Sequence, residues 1–479
     1  MLFGVGSRVL QLVGTLVLTR FIAPDAYGAV LGASIAVLTV GISTSFAFGQ
    51  YLIAHQSNAK VAFQAAVLHV SLGFLTMGVV LLMRNTLSHW FGAAQIGEFI
   101  PGFALAHILD RLRYVPERLL TREMRYRTIA TINGGSEILF TVVALALVKA
   151  FGAEAIMLAA IARAAFCTCL FMIYAPRNQW FVVSRLDRQT VRSLFGYGAP
   201  IMLTTISDHA ASRFDSMIVS SLFGPAIMAR YNLAYSMAEM PVNNVAGNIA
   251  EVLMPSYSKM PEADRGPAVI KSAALMTLVV APLGVGLGAV APTLVNSFFN
   301  DKWSQMAPML VILSVMTVFR PMYWPAMAYL QSVRQTRLLM YLSIGRAFVI
   351  IGLVAAFGHL GGPLWACLGA GIGYGLHSLL TVIATGMSTG LPIRPYLIAV
   401  GRPLLLCVPM FIAAMSLGVG LKAAGAPPVA SLIVQIAAGA AVYLIAAFLF
   451  AKPTAMSALN LTLGAIGRRR GALPGNPAA

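Results

Sequence analysis

Charge is what this sequence has least of, and acid least of all. Only 10% of its 479 residues are Asp, Glu, Lys or Arg, against 59% hydrophobic, and 15 acids face 33 Lys and Arg for a formal net charge of +18. So little polar sequence cannot coat a soluble globule of this length, and a mean hydropathy of +0.82 points the same way. Cysteine is also scarce. Cys167, Cys169, Cys367 and Cys407 all fall in apolar runs with no His or Cys at ligand spacing, so neither a disulfide framework nor a zinc site is expected. Cys167 and Cys169, two residues apart, project from different sides of a helix. No P-loop, HExxH or EF-hand pattern occurs, so no cofactor, no metal and no ATP-driven chemistry is expected. Long polar connections are missing too: the longest runs from Pro176 to Phe195, too short for an extramembrane catalytic module.

What is abundant is apolar sequence in runs of about 20 residues, the length a helix needs to cross about 30 Å of hydrocarbon. Fourteen such spans begin near residues 2, 28, 61, 98, 127, 153, 196, 225, 268, 305, 336, 362, 399 and 428. The expectation is an all-α polytopic membrane protein with about 14 transmembrane helices. The first run carries Arg8, Gln11 and Arg20 and has no clean cleavage site, so it is read as a retained span rather than a signal peptide. With the N-terminus inside, twenty Lys and Arg fall in cytoplasmic segments. Five lie on the other side: Arg84, Lys149, Arg230, Lys302 and Lys422. That bias places both termini in the cytoplasm. Much of the net charge is then a topology signal and an attraction to anionic membrane lipids, and no nucleic-acid partner is implied.

The chain reads as duplicated. Arg111-Leu112-Arg113-Tyr114-Val115-Pro116 lies on Arg320-Pro321-Met322-Tyr323-Trp324-Pro325 at an offset of 209. Phe21-Ile22-Ala23-Pro24 answers Leu222-Phe223-Gly224-Pro225 at an offset of 201, and Ala150-Phe151-Gly152 answers Ala356-Phe357-Gly358 at 206. These offsets fit two pseudo-symmetric six-helix lobes plus two C-terminal helices. The lobes are expected at 1–175 and 196–386, the linker at 176–195, the extra helices at 387–451 and a cytoplasmic tail at 452–479. Because six is even, the halves share one orientation, the parallel-repeat arrangement in which a site lies in a cleft between lobes. Gly369, Gly371, Gly373 and Gly375 form a GxGxGxG run. With no strand before it, that run reads as close helix packing rather than a dinucleotide fingerprint.

Eight arginines, Arg8, Arg20, Arg111, Arg113, Arg163, Arg213, Arg320 and Arg346, lie inside spans, against about six acids. An arginine at the bilayer centre costs roughly 2.5 kcal/mol or more, so such residues face protein or water and meet a partner. In the fourth span His107, Asp110, Arg111 and Tyr114 follow i, i+3, i+4, i+7 on one stripe, and Arg113 points away from it. The tenth span repeats Arg320, Tyr323 and Trp324. A surplus of guanidinium forks suits a diphosphate, while Tyr114, Tyr231, Tyr235, Tyr323 and Trp324 offer faces for sugars. The candidate substrate-binding set is Arg8, Gln11, Arg111, Arg113, Tyr114, Arg213, Tyr235, Arg320, Tyr323 and Arg346. Asp110, Asp208, Asp215 and Glu239 are candidates for ion coupling. The competing reading is that buried pairs, Asp110 with Arg111 or Asp215 with Arg213, simply fasten helices.

Three stretches carry a resemblance: Ser7-Arg8-x-x-Gln11 with Thr19 through Gly28, Pro116 through Arg127, and Phe214-Asp215 through Met254-Pro255-x-x-Ser258. Over most of its length the chain resembles the polysaccharide transporter family of Wzx-type lipid-linked oligosaccharide flippases, within the multidrug/oligosaccharidyl-lipid/polysaccharide exporter superfamily. The resemblance implies alternating access and movement of an undecaprenyl-diphosphate-linked repeat unit between leaflets, for exopolysaccharide or lipopolysaccharide biosynthesis. It also implies a polymerase and chain-length or export proteins as partners. Among coupling residues it touches only Asp215. Three alternatives remain open: a lipid II flippase, a multidrug or cation antiporter, and an integral membrane glycosyltransferase or polymerase. The arginine surplus argues against the antiporter, and the short loops argue against the polymerase.

Overall fold

The computed structural model describes residues 14–55, 58–452 and 456, the side chains at 204, 208, 211, 212, 248 and 251 excepted. Every regular element among the described residues is helical. After a helical stretch at 14–21, the chain forms α1 (Pro24–Ile42), α2 (Phe48–Ala54), α3 (Ala59–Leu82), α4 (Arg84–Trp90), α5 (Ile96–Arg122), α6 (Tyr126–Phe151), α7 (Glu154–Tyr174), α8 (Arg188–Phe223), α9 (Pro225–Lys259), α10 (Glu262–Phe298), α11 (Met306–Met316), α12 (Arg320–Ser332), α13 (Thr336–Gly361), α14 (Pro363–Thr389), α15 (Ile393–Ala423) and α16 (Pro428–Phe450). Counting Met306–Ser332 as one span, ten of these are long and apolar enough to cross a membrane. The other long helices, α5, α8 and α9, are the ones loaded with arginines and acids. Thirteen expected spans each have a helix starting within eight residues of the expected position, and the first expected span begins outside the described residues. The chain is an all-α, multi-pass membrane protein.

Contacts divide the chain into two compact units. The first runs through Asn232 and adds Phe299–Trp303 and Gly358–Pro363; the second holds Leu233–Phe298, Ser304–Phe357 and the chain from Leu364. In the first unit α5 packs on α7, α3 and α1, and α6 on α7. The Asn58 side chain starts α3 by accepting from Val61 N at 3.0 Å. Two short helices not foreseen from hydropathy, α2 and α4, follow the ends of α1 and α3. The segment expected to link the lobes is pinned within this unit. Gln179 bonds Arg122 and Glu123 at 3.1 and 2.7 Å, and Asp187 N donates to Gln64 at 3.1 Å. Helix α8 then packs on α1, α2 and α3. It turns into α9 through Gly224 (φ 83°), the conformation that glycine adopts without penalty.

In the second unit the 37-residue α10, about 55 Å at 1.5 Å per residue, packs against α15, α16, α11 and α12. Two apolar clusters flank it, one around Tyr257, Met276, Tyr329 and Tyr396, the other around Val285, Cys407, Met410 and Tyr443. The glycine run presents two faces. A Cβ at Gly369 or Gly373 would strike the backbone of α13 at Leu353 or Ile350, and one at Gly371 or Gly375 would strike Met316 or Phe319. Only hydrogen lets α14 lie that close to both neighbours.

The helices that carry Arg111 and Arg320 differ in continuity. Helix α5 continues unbroken through Arg111-Leu112, whereas at the aligned Arg320-Pro321 a 3-10 turn, Thr317–Phe319, separates α11 from α12. Pro321 lacks the N–H that a continuous α-helix would bond to residue 317. Both helices nevertheless end alike. Met124 (φ 56°) and Arg334 (φ 61°) are the non-glycine residues at positive φ among the described residues. Arg125 N bonds Leu120 O and Gln335 N bonds Leu330 O, while Met124 N bonds Thr121 O and Arg334 N bonds Gln331 O, a Schellman pattern in both cases.

Candidate functional site

Among the described residues, each unit holds a polar cluster centred on a buried arginine. In the first, Arg111 is 4% exposed and reaches the point where α1 stops at Ile42. Its Nη2 donates to Gly41 O and Nη1 to Thr44 O at 3.3 Å; Nη2 lies 3.4 Å from Thr44 Oγ1 and Nε donates to His107 Nε2 at 3.1 Å. The His69 ring nitrogens stand 3.4 and 3.5 Å from Nη1. That ring stacks on Tyr114 at 4.0 Å, and Arg118 lies 5.3 Å over the Tyr114 ring. Every hydrogen-bonding neighbour of Arg111 among the described residues is thus neutral. Gly41 O belongs to the last turn of α1, where the backbone dipoles leave negative charge, and Thr44 O lies two residues past its end. Gly73 makes room, since a Cβ there would sit 2.8 Å from Arg111 Cγ.

The acids of this unit are engaged elsewhere. Asp110 meets Arg113 at 2.7 Å, not the adjacent Arg111, and Glu117 meets Arg113 at 3.3 Å. Residues three and four apart share a helix face whereas adjacent residues do not, so the pairing expected for Asp110 with Arg111 is corrected to Arg113. Arg163, which has no polar neighbour at helical spacing in sequence, pairs with Glu137 of α6 at 3.1 Å. Asp215, 1% exposed, accepts from Tyr231 OH at 2.9 Å and Ser216 N at 2.6 Å, while Asn232 donates to Ser216 Oγ at 3.1 Å. These bonds join α8 to the first turns of α9. Outside the membrane-spanning helices, Asp187 starts α8. The Thr190 N–H and hydroxyl donate to its carboxylate at 2.9 and 3.0 Å and hold its pKa below the usual value.

In the second unit Arg320, 8% exposed, is the first residue of α12. It pairs with Glu239 of α9 and donates to Asn243 Oδ1 and Tyr235 OH, each at 3.1 Å. Tyr235 and Tyr374 share a 2.6 Å hydroxyl bond, and the guanidinium lies 4.7 Å over the Tyr374 ring. Glu239, Arg320, Tyr235, Tyr374 and Thr317 are among the residues lining a cavity of about 20 Å³, room for a single water. Tyr323 is buried edge-on to His377 at 5.2 Å, and Arg346, half-buried, also bears on His377. A larger cavity, about 710 Å³ between α10, α15 and α16, has Gln435 and Tyr443 as its polar side chains and is otherwise apolar.

The structure therefore brings together Arg111 with Tyr114, and Arg320 with Tyr235 and Glu239. Arg213 is exposed on α8. Arg8 and Gln11 lie outside the described residues, and so does the side chain of Asp208. Sequence reasoning missed His69, Thr44 and Tyr374. A lone histidine in an apolar run was the available signal for the first; Tyr374 was hidden in the glycine run. Among the described residues no three His, Cys, Asp or Glu side chains gather as a metal site.

Comparison with known proteins adds sequence and fold relationships. The profile of a family described as polysaccharide biosynthesis protein matches residues 17–308. The chain is 21% identical over 427 residues to the lipopolysaccharide biosynthesis protein WzxC of Escherichia coli strain K12, covering 86% of this chain and 85% of that one. It is 24% identical over 378 residues to the succinoglycan biosynthesis transport protein ExoT of Rhizobium meliloti strain 1021, covering 76% and 74%. In fold it is similar to the lipid II flippase MurJ in an inward closed conformation, with a TM-score of 0.77, 15% identity, and 94% and 98% coverage.

Proposed function

The chain belongs to the polysaccharide biosynthesis protein family, and from that premise we propose that it is a flippase for undecaprenyl-diphosphate-linked oligosaccharide repeat units. It is a transporter rather than an enzyme. It works in the bacterial inner membrane with both termini in the cytoplasm, as fourteen helices in two repeat lobes and two added helices, and moves the head group outward by alternating access. Its product feeds a polymerase and chain-length or export proteins. The observation that carries this reading is similarity along 86% of the chain to a lipopolysaccharide biosynthesis protein.

The physical obstacle to such transport is the head. An unpaired phosphate in hydrocarbon costs tens of kcal/mol by Born estimates, and arginines that cannot lose their charge remove most of that cost. Arg213 in the first unit and Arg346 in the second are more accessible than Arg111 and Arg320. Each offers a guanidinium group to the diphosphate, and the buried two add positive charge within their own units. A negative-inside potential favours export of an anion by roughly 2.3 kcal/mol per charge per 100 mV.

The test is reconstitution. The full-length protein in vesicles is expected to expose the head of an undecaprenyl-diphosphate oligosaccharide to an impermeant reagent faster than protein-free vesicles do, and Arg213→Ala with Arg346→Ala is expected to slow it. No acceleration overturns the proposal. The fold likeness to a lipid II flippase favours a second reading, which takes over if lipid II moves and the oligosaccharide lipid does not.

A further inference from the structure

Transport of an anion gives no task to the two imidazoles beside Arg111. His107 comes from α5 and His69 from α3, and both meet the guanidinium at the end of α1. An arginine side chain has donors and no acceptor. The 3.1 Å bond from Arg111 Nε to His107 Nε2 therefore requires a lone pair on that nitrogen, which makes His107 the neutral tautomer protonated at Nδ1. A proton arriving at Nε2 uses the same lone pair. Proton and guanidinium compete for one site.

The surroundings sharpen the competition. On its own helix, Arg111 and Asp110 bear on His107, and from α3 so does His69, which Arg118 also faces. Helix α1 offers backbone only: a Cβ at Gly41 would lie 2.6 Å from His107 Nε2. On α7, Arg163 and Cys167 stand by the Asp110–Arg113 pair, and on α6 Glu137 is held by Arg163. Asp110, the nearby carboxylate, is already held by Arg113 at 2.7 Å. An imidazolium here would face Arg111 as a second cation, and one of the two must move.

We propose that His107 is a proton-binding site whose occupation expels Arg111 from the C-terminal end of α1. The proton leaves a hydronium ion, so one O–H bond breaks as one N–H bond forms at Nε2, a water molecule is released, and the Arg111 N–H···N hydrogen bond is lost. Departure of Arg111 takes its donor from Thr44 O and leaves Gly41 O to the Thr44 N–H and hydroxyl, which removes the tie between α5 and the non-helical connection from Ser43 to Ala47 that precedes α2. Proton entry and movement of this break in the span are thereby linked. The use of the link in transport rests on the flippase reading; the site itself does not.

The test follows amide deuterium uptake by residues 41–47 in the full-length protein held in lipid nanodiscs, at pH 8 and pH 4, after correction for intrinsic exchange. Wild type is expected to exchange at least threefold faster at pH 4. His107→Gln keeps an acceptor for Arg111 but takes no proton, so its uptake is expected to be the same at both pH values, while His69→Gln retains the wild-type dependence. A wild type without the change, an unaltered pH dependence in His107→Gln, or its loss in His69→Gln overturns the proposal. Should His107→Gln fail to fold, the ¹⁵N spectrum of the wild-type rings decides, and a His107 ring wholly neutral at pH 4 overturns the site. Vesicle transport is measured separately. A responsive α1 end without lipid movement sinks the flippase reading alone; lipid movement with an unresponsive α1 end sinks the proton site alone.

Discussion

Arg111 and Arg320 occupy positions that align in sequence at an offset of 209, yet one is held by carbonyls and the other by a carboxylate. The difference follows from what each one meets. Arg111 points at the end of α1, the negative pole of its backbone dipoles, where Gly41 O and Thr44 O accept from it and a cation is stabilised without an acid. Arg320 opens α12 directly after a 3-10 turn whose backbone stays right-handed, with no helix C-terminal end pointed at it, and Glu239 supplies its counter-charge from α9. Positions that align in sequence thus have different electrostatic surroundings, set by the element each side chain reaches.

The most damaging way to break this contrast is to remove the acid. Glu239→Ala leaves a buried, unpaired Arg320 and is expected to cost roughly 3–5 kcal/mol, read as a fall in thermal unfolding temperature in nanodiscs. Pairing it with Arg320→Met should recover most of the loss. Next, Leu112→Pro imposes on α5 the break that α12 has and should cost about 3 kcal/mol; circular dichroism and proteolysis near residue 112 report it. Arg111→Met removes the charged donor from Thr44 O and one of the donors on Gly41 O, for about 1.5–3 kcal/mol. Removing an acid should not rescue it, whereas removing Arg320 rescues the loss of Glu239. The smallest effect lies outside the membrane. Asp187 has its pKa lowered by the Thr190 donors, so its support of α8 is full above the ordinary carboxylate range and fades as pH falls through the lowered value. Asp187→Asn should flatten unfolding-versus-pH curves only at that acidic end.

The helices were largely legible, because spans and loops differ so strongly in composition that even α5, with its arginines, was found to within two residues of its start. What sequence could not provide was partners across helices. Arg163 seemed isolated because Glu137 lies 26 residues away on the neighbouring helix. His69 seemed a lone polar residue because its companions come from α1 and α5. The end of α1 at Ile42 is marked in sequence by Ser43-Thr44-Ser45, whose N–H groups bond back to Val40, Gly41 and Ile42, but nothing local announces that Arg111, about seventy residues later, also reaches it. Helical periodicity reports neighbours within one element; which stripes face each other is set by packing of the whole.

The twin turns at Met124 and Arg334 carry a practical consequence. Both residues are exposed, so nothing packs against them, and each holds a left-handed backbone at a penalty of roughly 1–2 kcal/mol. Glycine would relieve that at an entropic cost of about 0.5–1 kcal/mol. Met124→Gly with Arg334→Gly therefore offers experimenters a sturdier sample for handling in detergent, obtained at two surface corners that leave the buried cationic machinery alone.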